Sequence, residues 1–338
     1  MPASIFADLL PLSNQNIHLM TILSELQPLH HPLFVHYNVQ VHVKRDDNIH
    51  PIISGNKWRK LKYNLVQVKQ SEHIKGVISF GGSYSNHIHA LAFACYQQNI
   101  PCVGIIRGEK DYASNFTLSW ARHWGMKLHF VDRKTYRRRH DTDYLRQLQQ
   151  TFPDYFIVPE GGSNTYAIPG VAEIITELNQ QTNFDTLITP TGSGGTLAGL
   201  ITGDYNTKSK QHKLLGIAVL KEADYLIDEI HKLIPPSAKK HDNWQLLTDF
   251  HRGGYAKFSN TDVKQLLEFN YITGVDFEPI YSGKMILAFL DLLKQGYFSS
   301  GERIVLLHTG GMQGIGGMIE RGILNAKQWS MPEQVQHL

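Results

Sequence analysis

Asp185-Thr186-Leu187-Ile188-Thr189-Pro190-Thr191-Gly192-Ser193-Gly194-Gly195-Thr196 is the stretch that decides the fold. Asp185 to Thr189 reads as an apolar strand and Thr191 to Thr196 as a glycine-rich loop; Leu197, Leu200 and Ile201 begin a helix. In such a turn the backbone N–H groups converge at the glycines and the helix N-terminus adds a positive dipole. Ser193 and Thr196 supply hydroxyl donors. That chemistry suits a phosphate. No Gly-Lys-Ser/Thr follows, so it is not a Walker loop, and Leu197 holds the third glycine position of a dinucleotide fingerprint.

The same rhythm runs outward in both directions. Upstream, Gly76-Val77-Ile78-Ser79-Phe80 is a buried strand ended by Gly81-Gly82, and Ser85 caps a helix with Ile88, Leu91, Ala92 and Cys95 on one face. Strands at Pro101 to Ile106, Lys127 to Val131 and Tyr155 to Val158 alternate with a helix at Asn115 to Trp124, and the turn Gly161-Gly162-Ser163-Asn164 leads to a helix at Gly170 to Leu178. Downstream come a strand at Lys213 to Val219, helices at Asp262 to Phe269 and Lys284 to Leu293, and a last strand at Ile304 to Leu307. Strands alternating with helices predict crossovers and a parallel sheet. Pattern alone divides the chain softly, into a unit around residues 60–160 and another around 161–330. The basic run Arg137-Arg138-Arg139-His140 reads as a solvated helix face.

The composition is ordinary and globular: 338 residues, 42% hydrophobic and 19% charged, enough for two domains. A net charge of +3 gives no argument for nucleic acid or an anionic membrane. Eighteen histidines fall into no zinc pattern; His87 and His89 would point to different helix faces, so no metal site is expected. The two cysteines, Cys95 and Cys102, build no disulfide framework and fit the cytosol. Met1 to Asn14 has no basic n-region and does not read as a secretory signal, and no run of about 18 apolar residues predicts a membrane span. A cytoplasmic protein is the expectation.

Asn56-Lys57-Trp58-Arg59-Lys60 opens an amphipathic helix. Lys57 and Lys60 share one face, while Trp58, Leu61, Leu65 and Val68 form an apolar stripe on another. A lysine beside a second cation loses its proton more easily and becomes an amine nucleophile. Further on, Gly81-Gly82-Ser83-Tyr84-Ser85-Asn86-His87 places a capped helix start where N–H groups can bind a carboxylate. Gly254-Tyr255-Ala256, Pro279-Ile280-Tyr281-Ser282-Gly283-Lys284 and the turn Thr309-Gly310-Gly311 complete the set.

In that order these segments resemble the pyridoxal-phosphate enzymes of the tryptophan-synthase-β fold type, and within them the D-cysteine desulfhydrase / 1-aminocyclopropane-1-carboxylate (ACC) deaminase family. Ser54-Gly55-Asn56-Lys57-Trp58-Arg59-Lys60-Leu61 matches the family's Gly-Gly-Asn-Lys-x-Arg-Lys-Leu element, with Ser54 in place of the first glycine. The resemblance spans about Ser54 to Gly316. It implies an α/β fold of two open, twisted, mostly parallel sheets flanked by helices, known as pyridoxal-phosphate fold type II. Residues 1–56 plus 161–338 would form the large domain and 57–160 an inserted small one, with pyridoxal 5'-phosphate in the cleft between them. A small amino-acid substrate and a homodimer are implied as well.

The same resemblance implies the site. Lys57 bears the cofactor and carries protons. Lys60, Thr191, Gly192, Ser193, Gly194, Gly195 and Thr196 hold its phosphate. Ser85 contacts the substrate and Asn86 the cofactor's 3-hydroxyl, with Tyr281 and Tyr255 beside the reacting group. ACC-cleaving members usually carry Gln after the asparagine, where His87 stands. They typically carry Glu after the second tyrosine and Leu before the last glycine turn, where this chain has Ser282 and Thr309. A carboxylate would keep the pyridine nitrogen protonated and the ring a strong electron sink. Hydroxyl partners suit α-proton removal followed by loss of a β-leaving group. α,β-Elimination of a D-amino acid to pyruvate, ammonia and sulfide is therefore expected ahead of ACC deamination. A third reading is a nucleotide-binding oxidoreductase, with Glu222 or Asp224 on a ribose.

Overall fold

The computed structural model describes residues 23–53, 55–207 and 211–329. Ser54, the one departure from the family's lysine element, lies outside them. The described residues form ten strands: β1 (Leu26–Leu29), β2 (Gln40–Lys44), β3 (Gly76–Gly82), β4 (Cys102–Arg107), β5 (Lys127–Val131), β6 (Tyr155–Val158), β7 (Thr186–Thr191), β8 (Lys213–Ala218), β9 (Trp244–Leu247) and β10 (Arg303–Leu307). They make two sheets. One has six strands in the order β1-β2-β10-β7-β8-β9, the other four in the order β5-β4-β3-β6. Every pairing is parallel except β1 with β2, which sets Leu26 against Lys44.

Successive strand residues point to opposite faces, and here both faces are covered. In the larger sheet Leu187, Leu214 and Val305 bury themselves with Ile168, Val171 and Leu197 on one side. Their neighbours Ile188, Leu215 and Leu306 pack on the other against Phe269, Phe277 and Met285. The smaller sheet does the same: Val77 and Ile106 join Leu61, Leu65, Leu91 and Phe93, while Ile78 and Ile105 join Tyr136 and Leu148. The stripe read from Leu61, Leu65 and Val68 is thus a core face, with Trp58 packed at its margin.

Expected strands and helices form to within a few residues. The additions include the edge strands β1 and β9, the inner strand β2, and the helices Pro32–His36, Thr142–Thr151, Tyr225–Leu233 and Gly314–Glu320. Leu26–Leu29 contains Pro28, which an edge strand tolerates and which disguises it in sequence.

Two features place the site. First, parallel strands present their C-terminal ends at one edge of a sheet, and there ligands bind. The residues at or just after the ends of β3, β4, β5, β6, β7 and β10 (Gly82, Arg107, Asp132, Pro159, Thr191 and Thr309) all line one cleft of about 1480 Å³. Second, the Asn56–Gln70 helix is anchored in the interior. Arg59, 2% exposed, bonds Asp46 at 2.9 Å and Glu177, while Lys44 reaches Glu177 at 2.7 Å. Pairing and hydrogen bonding of this kind offset the cost of burying these charges.

Candidate active site

Lys57 sits one residue into the Asn56–Gln70 helix, and the helix start is shaped by its neighbour. Gly55 has φ of +63°, and a Cβ there would run into the carbonyl of Thr309. Glycine alone permits that conformation at that distance. The Asn56 N–H donates to the same carbonyl at 3.2 Å, so the helix start is docked onto the Thr309-Gly310 turn. The Lys57 Nζ donates to Asn56 Oδ1 at 2.7 Å, and Asn56 Nδ2 donates to Thr196 Oγ1 at 3.0 Å. Burial pushes the Lys57 amine down to about 8, against the pull of the Glu278 carboxylate. The expected effect of one lysine on the other falls on Lys60 instead, which burial and then the Lys57 charge hold well below the ordinary lysine value.

Lys60 is 2% exposed, and among the described residues no carboxylate pairs with it. Its Nζ donates to Ser163 Oγ at 3.0 Å and to the Gly161 carbonyl at 3.4 Å. Ser163 in turn bonds Ser193 Oγ at 2.7 Å. Gly195, the first residue of the Gly195–Asn206 helix, lies against them: a Cβ there would strike Ser163 and come within 3.2 Å of the Lys60 ammonium. A buried cation, two hydroxyls, a helix N-terminus and a missing side chain form a cradle that fits a phosphate. Ser163 was not predicted as a site residue. Its only sequence signal was the Gly161-Gly162-Ser163-Asn164 turn.

The other predicted residues are distributed unevenly. Ser85, Asn86, Gly192, Ser193, Gly194, Thr196, Tyr255, Tyr281 and Thr309 line the cleft together with Lys57 and Lys60. Ser85 caps the Asn86–Gln97 helix by accepting the Ile88 N–H, and Asn86 Nδ2 lies 3.0 Å from where a Gly311 side chain would stand. Tyr281 packs its ring 3.0 Å from where a Gly192 Cβ would be. Tyr255 meets it edge-on at 5.9 Å, 45% exposed within the wide cleft. Burial raises both phenols, Tyr281 strongly. The Tyr255 loop is held by Lys284, a fully buried ammonium that donates to the carbonyls of Val219 at 3.2 Å, His251 at 2.9 Å and Gly254.

Thr191 turns its hydroxyl toward Gly216 of β8, where it has no partner, so that side chain is aimed away from the phosphate cradle. Ser282 is 0% exposed, is not among the residues lining the cleft, and its Oγ also has no partner. A buried hydroxyl in that state is waiting for an acceptor or donor. Beside it, Glu278 spends both carboxylate oxygens on the backbone N–H groups of Ile280, Tyr281 and Ser282 at 2.6–3.1 Å. Burial nevertheless pushes that carboxyl up to about 8. His87 is buried, bonded through Nε2 to Ser79 at 2.7 Å; burial and the two lysines keep it neutral. Neither Glu222 nor Asp224 lines the cleft, and the Glu222 side chain is 86% exposed, so the nucleotide reading loses its ribose contact.

The fold and this cradle define an α/β enzyme built to hold a phosphorylated coenzyme beside a buried amine. The family described as "Pyridoxal-phosphate dependent enzyme" matches residues 22–310, and the chain belongs to it. Its cofactor is pyridoxal phosphate. The bifunctional D-cysteine desulfhydrase/ACC deaminase of Arabidopsis thaliana mitochondria is 28% identical over 310 residues, 85% of this chain and 76% of that one. A D-cysteine desulfhydrase of Klebsiella pneumoniae is 23% identical over 82% of this chain and 88% of its own. The crystal structure of an ACC deaminase homologue superposes with a TM-score of 0.77 at 24% identity, covering 96% of this chain and 100% of that one. Among the described residues no cluster suited to a metal and no helix long and apolar enough to cross a membrane occurs.

Proposed function

We propose that the protein is a D-cysteine desulfhydrase-like lyase, converting a D-amino acid with a β-leaving group and water to pyruvate, ammonia and, from D-cysteine, hydrogen sulfide. Lys57 carries the cofactor and moves the α-proton. Lys60, Ser193, Gly194, Gly195 and Thr196, with Ser163, hold the phosphate; Ser85 and the N–H groups behind it take the substrate carboxylate, with Asn86 on the cofactor. Bound pyridoxal phosphate supplies an electron sink for charge left at the α-carbon. The observation that carries the reading is the state of Glu278. The buried carboxylate of this corner is bound by three backbone N–H groups, which leaves hydroxyls, Ser282 and Thr309, as the ring-nitrogen partners the family pattern assigns. A ring not held protonated suits elimination better than cyclopropane opening.

Deamination of ACC to 2-oxobutyrate and ammonia is the second reading, because the Arabidopsis relative bears both activities in its name. Purified holoenzyme incubated with D-cysteine should release sulfide and pyruvate. Silence with every D- and L-amino acid bearing a β-leaving group would sink the reading, and 2-oxobutyrate from ACC alone would reverse the ranking. We also infer that residues 1–56 with 161–338 form the larger domain and 57–160 the inserted one, in keeping with which segments supply the two sheets. A cytoplasmic homodimer completes the proposal. The free thiols of Cys95 and Cys102 are in keeping with the compartment, and light scattering on the holoenzyme tests the dimer.

A further inference from the structure

The basic run at Arg137 to His140 is not simply a solvated helix face. Arg139 and His140 line the active-site cleft, and so does Arg107 at the C-terminal end of β4. Tyr136 is the hub. Its ring, 2% exposed, carries the Arg107 guanidinium at 5.4 Å and the Arg139 guanidinium at 5.1 Å from its centroid. Its hydroxyl donates to Glu160 Oε1 at 2.7 Å, and Arg139 closes on Glu160 Oε2 at 2.6 Å. Glu160 is thereby used up by Tyr136 and Arg139. Among the described residues no carboxylate pairs with Arg107.

Position gives this free cation a purpose. Its guanidinium lies 3.4 Å from where a side chain on Gly82 would stand, over the start of the loop that leads to Ser85 and Asn86. Its charge also bears on the Tyr255 hydroxyl. The opposing carboxylates of the outer cleft are largely engaged. Asp132 caps its helix through the N–H groups of Lys134 and Thr135, and Glu229 holds Lys232 at 2.6 Å. Glu109 is the one left over, against Arg107 and Arg133 on the same wall. The cleft, about 1480 Å³, also exceeds the roughly 300–1,000 Å³ of ordinary small-ligand pockets. There is room beyond the cofactor and a three-carbon amino acid.

We propose that Arg107, propped on Tyr136, is an anion subsite, and that the preferred substrate is an amino acid whose side chain ends in a second anionic group. The proposal rests on reading the cleft as the site of an amino-acid lyase and names its substrate class. Arginine offers a planar fork matched to carboxylate, phosphate or sulfonate. D-Cysteine and ACC have no group to fill it.

The test is calorimetric titration of the holoenzyme with both enantiomers of aspartate and of its neutral isostere asparagine. At low salt, one enantiomer of aspartate should bind at least tenfold tighter than asparagine, and the preference should shrink as ionic strength rises. Arg107→Gln should bring the ratio to within about twofold of unity. Arg107→Lys should keep part of it, and Arg137→Gln, a change outside the cleft, all of it. Equal affinities in the wild type, no heat with either enantiomer, or a preference that survives Arg107→Gln would overturn the subsite. Failure of the lyase reading shows separately, as absence of turnover of β-chloroalanine, whose neutral side chain does not call on Arg107.

Discussion

Lys57 and Lys60 are neighbours on one helix face, yet the structure gives them different surroundings. Lys57 is half-buried in the cleft wall, bonded among the described residues to Asn56 alone, and burial lowers its amine to about 8. An amine attacks only when unprotonated, so its reactive fraction falls about tenfold per pH unit below that value. Reconstitution of apoprotein with pyridoxal phosphate, followed by visible absorption, should therefore quicken with pH and level off slightly above 8. A rate still climbing tenfold per unit beyond pH 9 would show an ordinary lysine. Lys57→Ala should remove the absorption. Lys60 holds no carboxylate and sits in the cradle with Ser163 and Ser193. Lys60→Met should weaken cofactor binding by about ten- to a hundredfold, the scale of one charge-assisted contact to phosphate. Spectrophotometric titration reads this directly, and unchanged affinity would move the phosphate elsewhere. The lysine element was legible because its residue types and spacing are specific. Ser163, Glu278 and Arg107 were not, since an isolated serine, glutamate or arginine has no pattern to mark it.

At the scale of elements, the site depends on how helix starts meet loops from the other end of the chain. Gly55 at φ +63° lies against the Thr309 carbonyl, and Gly55→Ala would both strain that backbone and push the helix off the turn. A cost of about 2–4 kcal/mol is expected from a non-glycine residue forced into such a collision. A thermal melt measures it, and cofactor occupancy should fall along with stability. A variant that melts normally and still loads cofactor would show that the docking is dispensable. Element placement was largely readable: apolar runs bounded by glycine and helices with serine or asparagine caps came out within a few residues. The short edge strands β1 and β9 escaped because an edge strand need not be apolar on both faces. The Arg137 to His140 run was legible in part: Arg137 and Arg138 are exposed as expected, while Arg139 and His140 line the cleft. Charge predicts exposure, but not whether the exposed side faces bulk water or a cleft.

Across the molecule, the buried cluster of Lys44, Asp46, Arg59 and Glu177 ties β2 and the helix carrying Lys57 to the Ala167–Gln181 helix. Burial alone would raise the Glu177 carboxyl, but Arg59 and Lys44 hold it below the ordinary value. A depressed acid stabilises the fold above its unfolded pKa, near 4.5, and that contribution is lost as pH falls through the folded value. Glu177→Gln should cost about 3–5 kcal/mol at pH 7, because it strands buried cations. The gap between variant and wild type in urea unfolding should close toward pH 3. A gap of constant size from pH 7 to pH 3 would deny the cluster its electrostatic role. The chain's own pattern determined that alternating strands and helices must build parallel sheets buried on both faces, because local periodicity reports which sides of an element meet apolar neighbours. It also marked the lysine helix and the glycine-rich loop proposed to hold the phosphate. Only the tertiary structure decided which strand ends share a cleft, which carboxylates are consumed by backbone N–H groups, and that Arg107 enters the cleft without a carboxylate partner among the described residues. Some of those outcomes join residues far apart in sequence, as Lys60 with Ser163, and even the local ones, as Glu278 with the N–H groups of Ile280 to Ser282, rest on a burial that the whole fold sets.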